Sequence, residues 1–214
     1  MSETPEHAGL FHDGAGHARC AWCAATPLYQ RYHDEEWGYP VADERRLFEK
    51  LCLEGFQAGL SWLTILNKRE AFRAAMANFE AEALARFGGA EVNALLANAT
   101  IVRHRGKIAS AIGNAARMLE LRREFGSFAH YVWRYADEAQ HGRPQAITAQ
   151  ALRTMTTSPA SHALSRDLKK RGFTFVGPTT MYAFMQAMGL VNDHVQGCTA
   201  RAKVDAARAA FVLP

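Results

Sequence analysis

Phe173-Thr-Phe-Val-Gly-Pro-Thr-Thr-Met-Tyr-Ala-Phe-Met-Gln-Ala-Met-Gly-Leu-Val-Asn-Asp-His-Val-Gln-Gly-Cys198 is the stretch on which the reading of this chain turns. Its Gly177-Pro178 pair opens a helix, because proline suits a first turn in which the missing N–H has no partner to lose. Thr179 and Thr180 add hydroxyls to a helix start whose free N–H groups favour an anion. Just upstream stands the basic trio Lys169, Lys170 and Arg171. Helix, glycine turn and helix, preceded by three cations, are the parts of a helix-hairpin-helix that grips a DNA backbone through main-chain N–H groups. A plain turn between two helices is the commoner meaning of a lone Gly-Pro. The basic trio and the aromatic residues elsewhere favour the DNA reading, with Lys169, Lys170, Arg171, Gly177, Thr179 and Thr180 as its contacts.

The same stretch ends with His194 and Cys198, spaced i, i+4 and therefore expected on one helix face, close enough to share a metal ion. Working outward, Cys20 and His33 complete a Cys2His2 set, whose filled shell of four protein ligands is structural rather than catalytic. Such a site would tie the N- and C-terminal segments together. Two loosely spaced pairs also suit four ordinary buried residues. Cys23 makes Cys20-Ala-Trp-Cys23 a Cys-x-x-Cys, read first as a bystander beside the metal set, then as an alternate ligand or a redox pair. Cys52, in an apolar helical run, reads as core.

The chain has 214 residues, 49% hydrophobic and 21% charged, enough for a substantial core in one domain or two packed lobes. A formal charge of +4 leans toward anionic partners without selecting one. There is no apolar run of membrane-spanning length and no basic-then-apolar start, so a soluble, cytoplasmic and, by default, monomeric protein with reduced cysteines is expected.

Residues 1–18 read as a flexible polar arm containing His7, His12 and His17. Helical periodicity begins at Asp43, a capping residue ahead of Leu47, Phe48 and Leu51, and resumes from about Ser61, from about Ile101 to Phe125, from Ser127 and over Ser161 to Lys170. Asp137–Pro144 and Thr154–Pro159 read as loops. No segment alternates like a strand, so the fold class is all-α: short helices packed as a compact, two-lobed domain.

Trp22, Tyr29, Tyr32, Trp37 and Trp62 supply flat rings suited to stacking on a nucleobase, although each taken singly is more often core. Glu54 is the sharper signal. A carboxylate between Leu53 and Gly55 on an apolar face must be partnered, by an arginine for example, or must serve a function.

Five blocks, Tyr32–Gly38, Leu51–Trp62, Arg103–Ile108, Lys169–Gly177 and Leu190–Cys198, together resemble the bacterial DNA-3-methyladenine glycosylase I family, of the helix-hairpin-helix glycosylase superfamily, in order and over roughly Arg19 to Cys198. The resemblance implies excision of 3-methyladenine from alkylated double-stranded DNA by hydrolysis of the N-glycosidic bond, with the base flipped out of the helix. It implies a structural zinc on Cys20, His33, His194 and Cys198. It also makes Glu54 the catalytic, base-recognising carboxylate and Trp22, Tyr32 and Trp62 the rings of the base pocket. The superfamily's usual aspartate after the hairpin is met here by Val191-Asn192-Asp193-His194, asparagine first, which leaves the water-activating group open. No lysine occupies the hairpin turn or the following helix, so a monofunctional enzyme without a lyase step is expected. On this reading residues 1–18 are an arm, 19–198 the glycosylase domain, and 199–214 an extension, either a helix adding DNA contacts or, preferred, a solvated tail. Two other readings stay open: a zinc-stabilised DNA-binding module, which requires Glu54 to be salt-bridged and no pocket between the rings, and a thiol oxidoreductase built on Cys20 and Cys23.

Overall fold

The computed structural model describes residues 9–214, and the first of them form a hairpin where the sequence suggests only a polar arm. β1 (Leu10–His12) pairs antiparallel with β2 (Ala18–Cys20), placing Leu10 opposite Cys20. Asp13 builds the turn, its carboxylate accepting the N–H groups of Ala15 and His17 at 2.9 Å each and meeting Arg19 at 2.5 Å. These strands are too short to show alternation. They hold because Leu10 packs on Cys20 and Cys198 and because Asp13 closes the loop. The expected arm's His7 lies outside the described residues.

A single 3₁₀ turn at Ala21–Cys23 leads to α1 (Pro27–Glu35), started by Thr26, whose hydroxyl accepts the Tyr29 N–H at 3.2 Å. α2 (Glu44–Gln57) starts at Asp43, which accepts the Arg46 N–H at 2.7 Å. Every residue from Leu47 to Phe56 is buried, so α2 is wrapped on all sides and its polar members Glu49, Lys50 and Glu54 must be answered by neighbours. α3 (Trp62–Ala75), capped by Ser61, packs beside it, and α4 (Ala81–Leu84) and α5 (Gly89–Ala97) follow.

α6 (Arg105–Phe125) begins later than Ile101, because the His104 ring accepts the Lys107 N–H at 3.2 Å and caps the helix there. α7 (Phe128–Trp133) starts at Ser127 as expected. α8 (Ala136–Gln140) occupies half of the expected loop over 137–144, anchored by the buried Ala139 and by the Gln140 amide, which donates to the Leu190 carbonyl at 2.6 Å. α9 (Ala149–Thr154), α10 (Pro159–Lys170) and α11 (Pro178–Ala187) complete the run. Gly189 then turns the chain at φ +79, where a Cβ would stand 2.4 Å from the Pro40 nitrogen.

The expectation of a solvated tail gives way to α12 (Thr199–Ala209), with Val204 fully buried and Asp205 accepting from the Asn192 amide at 2.7 Å. The architecture is mostly helical, with one apolar core continuous from Tyr32 to Val191 rather than one per lobe, and a small satellite of Cys20, Val195, Cys198 and Ala200. Among the described residues, no helix is long and apolar enough to cross a membrane.

Candidate active site

Where α1, α2 and α3 meet, a cleft of about 270 Å³ opens between aromatic rings. Trp22, Tyr32, Glu54 and Trp62, singled out in the sequence as base-binding residues, all line it, together with Tyr29 and Trp37. The rings brace one another: Trp22 stands 4.9 Å from Tyr29 and 5.0 Å from Trp37, and Tyr32 lies 5.4 Å from Trp62. Gln57 and Gln186, which the sequence did not single out, add two amides to the wall. Neither amide carries a sequence signal of its own; only the fold brings α2 and α11 to one rim.

Glu54 has a partner, but not an arginine. Lys50, one turn earlier on α2, places its ammonium 3.0 Å from Glu54 Oε1, donates to the Tyr32 hydroxyl at 2.6 Å and sits 3.2 Å from the centre of the Trp62 ring. Burial pushes this lysine down to about 8 even though Glu54 works in the opposite direction. The i, i+4 spacing of Lys50 and Glu54 was visible, yet an ion pair at that spacing normally marks a solvated face. The Trp62 indole N–H, buried, has no hydrogen-bond partner. A buried donor left unpaired costs about 1–3 kcal/mol.

The second element is the hairpin. α10 and α11 are joined through Arg171–Gly177, and the loop is fixed from behind: Asn114 Oδ1 accepts the Thr174 N–H at 2.9 Å, and Ser165 donates to the Val176 carbonyl at 2.6 Å. Gly177 caps α11 with no side chain over the helix end, so the first-turn N–H groups near Thr179 and Thr180 are not occupied by a cap. Lys169 and Lys170 are exposed. Arg171 differs from them. It is held by Glu124 at 2.6 Å and Asp167 at 3.2 Å, which makes it part of the α6–α10 packing.

The third element is a buried thiol–imidazole cluster. The ligand atoms of Cys20, His33 and Cys198 lie within 4.8 Å of one another, with Cys198 Sγ 3.4 Å from His33 Nε2. Donors around a tetrahedral zinc stand about 3.4–3.8 Å apart, as bonds of about 2.0–2.3 Å require, so the Cys198–His33 separation matches such an ion and Cys20 stands close enough to join it. The Cys20 thiol and the His33 ring stabilise Cys198 as a thiolate, holding it well below the usual thiol range, the charge state a metal needs. His194 is adjacent, its ring 4.7 Å from that of His33, but its atoms are not in the set: Nδ1 meets Asn192 Oδ1 at 2.9 Å and Nε2 lies 3.4 Å from the His33 carbonyl. Nor do His194 and Cys198 share a helix face, because Cys198 is the residue that caps α12. Cys23 is buried and outside the set, its thiol pushed up to about 12 by burial, opposite to what a reactive redox cysteine requires.

Neither residue after the hairpin is free to handle water. Asn192 orients His194 and binds Arg201 and Asp205. Asp193 is fully buried and accepts from Tyr182 and Gln186 at 2.8 Å each while paired with Arg143.

The methyladenine glycosylase family model matches residues 22–202. Over 181 residues the chain is 49% identical to DNA-3-methyladenine glycosylase 1 of Escherichia coli, covering 84% of this chain and 95% of that protein. It is 42% identical to DNA-3-methyladenine glycosylase of Haemophilus influenzae, with coverage of 84% and 96%. A crystal structure of 3-methyladenine DNA glycosylase I superposes with a TM-score of 0.78 at 49% identity, over 85% of this chain and 98% of the other. The Staphylococcus aureus enzyme, solved to explain its recognition of 3-methyladenine, superposes with a TM-score of 0.78 at 36% identity, over 86% of this chain and 96% of its own.

Proposed function

The chain belongs to the methyladenine glycosylase family, and from that premise we propose that its aromatic cleft receives 3-methyladenine flipped from alkylated double-stranded DNA and that Glu54 selects it. The enzyme is a DNA glycosylase of base excision repair, hydrolysing the N-glycosidic bond. The observation that carries the site assignment is the meeting of a buried carboxylate and several ring faces in one cleft.

The chemistry follows from the lesion. Methylation at N3 makes the base a cation while it is attached to deoxyribose, so the glycosidic electron pair is already drawn toward the base. Cleavage returns that pair to the base, which leaves neutral, and water adds to the sugar carbon with loss of a proton. Little acid assistance is needed. What the protein must supply is discrimination: Glu54 and the faces of Trp22, Tyr32 and Trp62 favour a cationic, flat ligand over neutral adenine.

The hairpin holds the duplex. The bare N-terminus of α11, with Gly177, Thr179 and Thr180, suits a backbone phosphate, and Lys169 and Lys170 add charge beside it. A structural zinc would be held by Cys20, His33 and Cys198, with His194 as the fourth ligand, and would pin β2 and α1 to the start of α12. A shell of four protein ligands leaves no open position, so its role is to hold the fold.

Incubation with N-methylated duplex DNA and chromatography of the released bases tests the reading. Free 3-methyladenine should appear, with strands that break only on alkali treatment. Binding to DNA without base release would leave a zinc-stabilised binding module instead.

A further inference from the structure

Lys50 has no assigned part in base release, yet its ammonium holds the carboxylate that the lesion would use. It lies 3.0 Å from Glu54 Oε1 and 3.2 Å from the centre of the Trp62 ring, on the far side of the cleft wall. Behind it a second, polar pocket is closed by ion pairs, Arg69 with Glu36 at 2.6 Å and Arg73 with Glu49 at 2.8 Å, and by Arg46. Tyr32 faces Lys50 from α1 as a neutral hydroxyl, since burial pushes its phenol well up. Each neighbouring carboxylate other than Glu54 thus has an arginine of its own. Glu54 is the only direct anion for Lys50, and Lys50 the only direct cation for Glu54 among the described residues.

We propose that Lys50 is a specificity-determining residue, an internal cation that competes with the positively charged base for Glu54 and gives up its proton to solvent when that base binds. The proposal rests on the assignment of this cleft to a cationic methylated base. With Lys50 protonated, the Lys50–Glu54 pair is neutral overall. A second positive charge beside it has no anion to balance it, and like charges a few ångströms apart in a buried site are costly. With Lys50 neutral, Glu54 is the counter-ion of the base, and the Lys50 amine keeps its place at the Tyr32 hydroxyl. The balance is simple: ammonium and cationic base give amine, bound cationic base and one proton in solution. Burial of Lys50, which already loosens its proton, keeps the exchange within reach of neutral pH.

The sign is fixed by the competition. Cation affinity is low below the lysine's titration and rises as pH climbs through it. For a lysine at about 8, affinity at about pH 9 should exceed that at about pH 6.5 roughly thirtyfold. A neutral base should show no such rise.

The probe is 3,9-dimethyladeninium, a fixed cation that needs no catalysis, titrated into the full-length protein by calorimetry in buffers of differing ionisation enthalpy. Wild type should release close to one proton per cation bound at about pH 7 and show the rise in affinity. Lys50→Met should bind with no proton released and a flat profile. Lys50→Arg, permanently charged, should bind weakly at every pH, and it reports on the competition should Lys50→Met fail to fold. Binding by wild type without proton release, the same release from Lys50→Met, or no binding at any pH would overturn the proposal. Failure of the glycosylase assignment is read separately, as wild type releasing no base from methylated DNA.

Discussion

The Trp22 indole stands 5.2 Å from the His33 imidazole, edge to face, so one ring both walls the aromatic cleft and covers the thiol–imidazole cluster. A change at the cluster is therefore felt in the cleft. Purified protein should contain about one zinc per chain, and stripping it with a strong chelator should lower the melting temperature and slow base release at least about tenfold, because Trp22 loses its backing. Metal analysis alongside the release assay checks this; full activity in metal-free protein would contradict it.

Asn192 is the residue that aims His194, through a 2.9 Å contact with Nδ1 and a 3.1 Å bond from the His194 N–H. Asn192→Ala should weaken zinc binding by about tenfold to a hundredfold, the usual effect of removing an outer-shell partner. Competition with a chromogenic chelator measures it.

The helices α2, α3, α6 and α10 were legible because apolar spacing and capping residues such as Asp43 and Ser61 agree with one another, whereas α1 and α8 were not. The hairpin at Leu10–Cys20 and the packed tail were not, because three-residue strands carry no periodicity and only the fold brings Asn192 to Asp205. Rings and a carboxylate in apolar surroundings pointed to Trp22, Tyr29, Tyr32, Trp37, Trp62 and Glu54, the family resemblance narrowed them to Trp22, Tyr32, Glu54 and Trp62, and the structure brings all six to one cleft. Lys50 was hidden by its spacing. A lysine one turn from a glutamate looks like a solvated pair until ten consecutive residues of α2 turn out to be buried. Arg171 erred the other way, since a basic trio beside a turn gives no sign that Glu124 and Asp167 hold one of its members.

That distinction is measurable. Lys169→Ala and Lys170→Ala should each weaken DNA binding uniformly across sequences and reduce the slope of log affinity against log salt by about 1. Arg171→Ala should leave the slope nearly unchanged and lower thermal stability instead.

Gly189 is needed for its conformation and for its lack of a side chain. Gly189→Ala would force a Cβ against Tyr39 and Pro40 at a positive φ, and should destabilise the protein by more than about 3 kcal/mol in urea unfolding.

The most direct measurement of the central claim is the single-turnover rate of 3-methyladenine release from methylated duplex DNA by wild type, Glu54→Gln and Glu54→Ala, each checked for folding and zinc content. Glu54→Gln keeps the shape and removes the charge, and should lose about tenfold to a hundredfold. Glu54→Ala should lose more, and also some stability, because Lys50 is left buried without its counter-ion. Wild-type rates from folded, zinc-loaded Glu54→Ala would contradict the assignment of Glu54 as the carboxylate that selects the base.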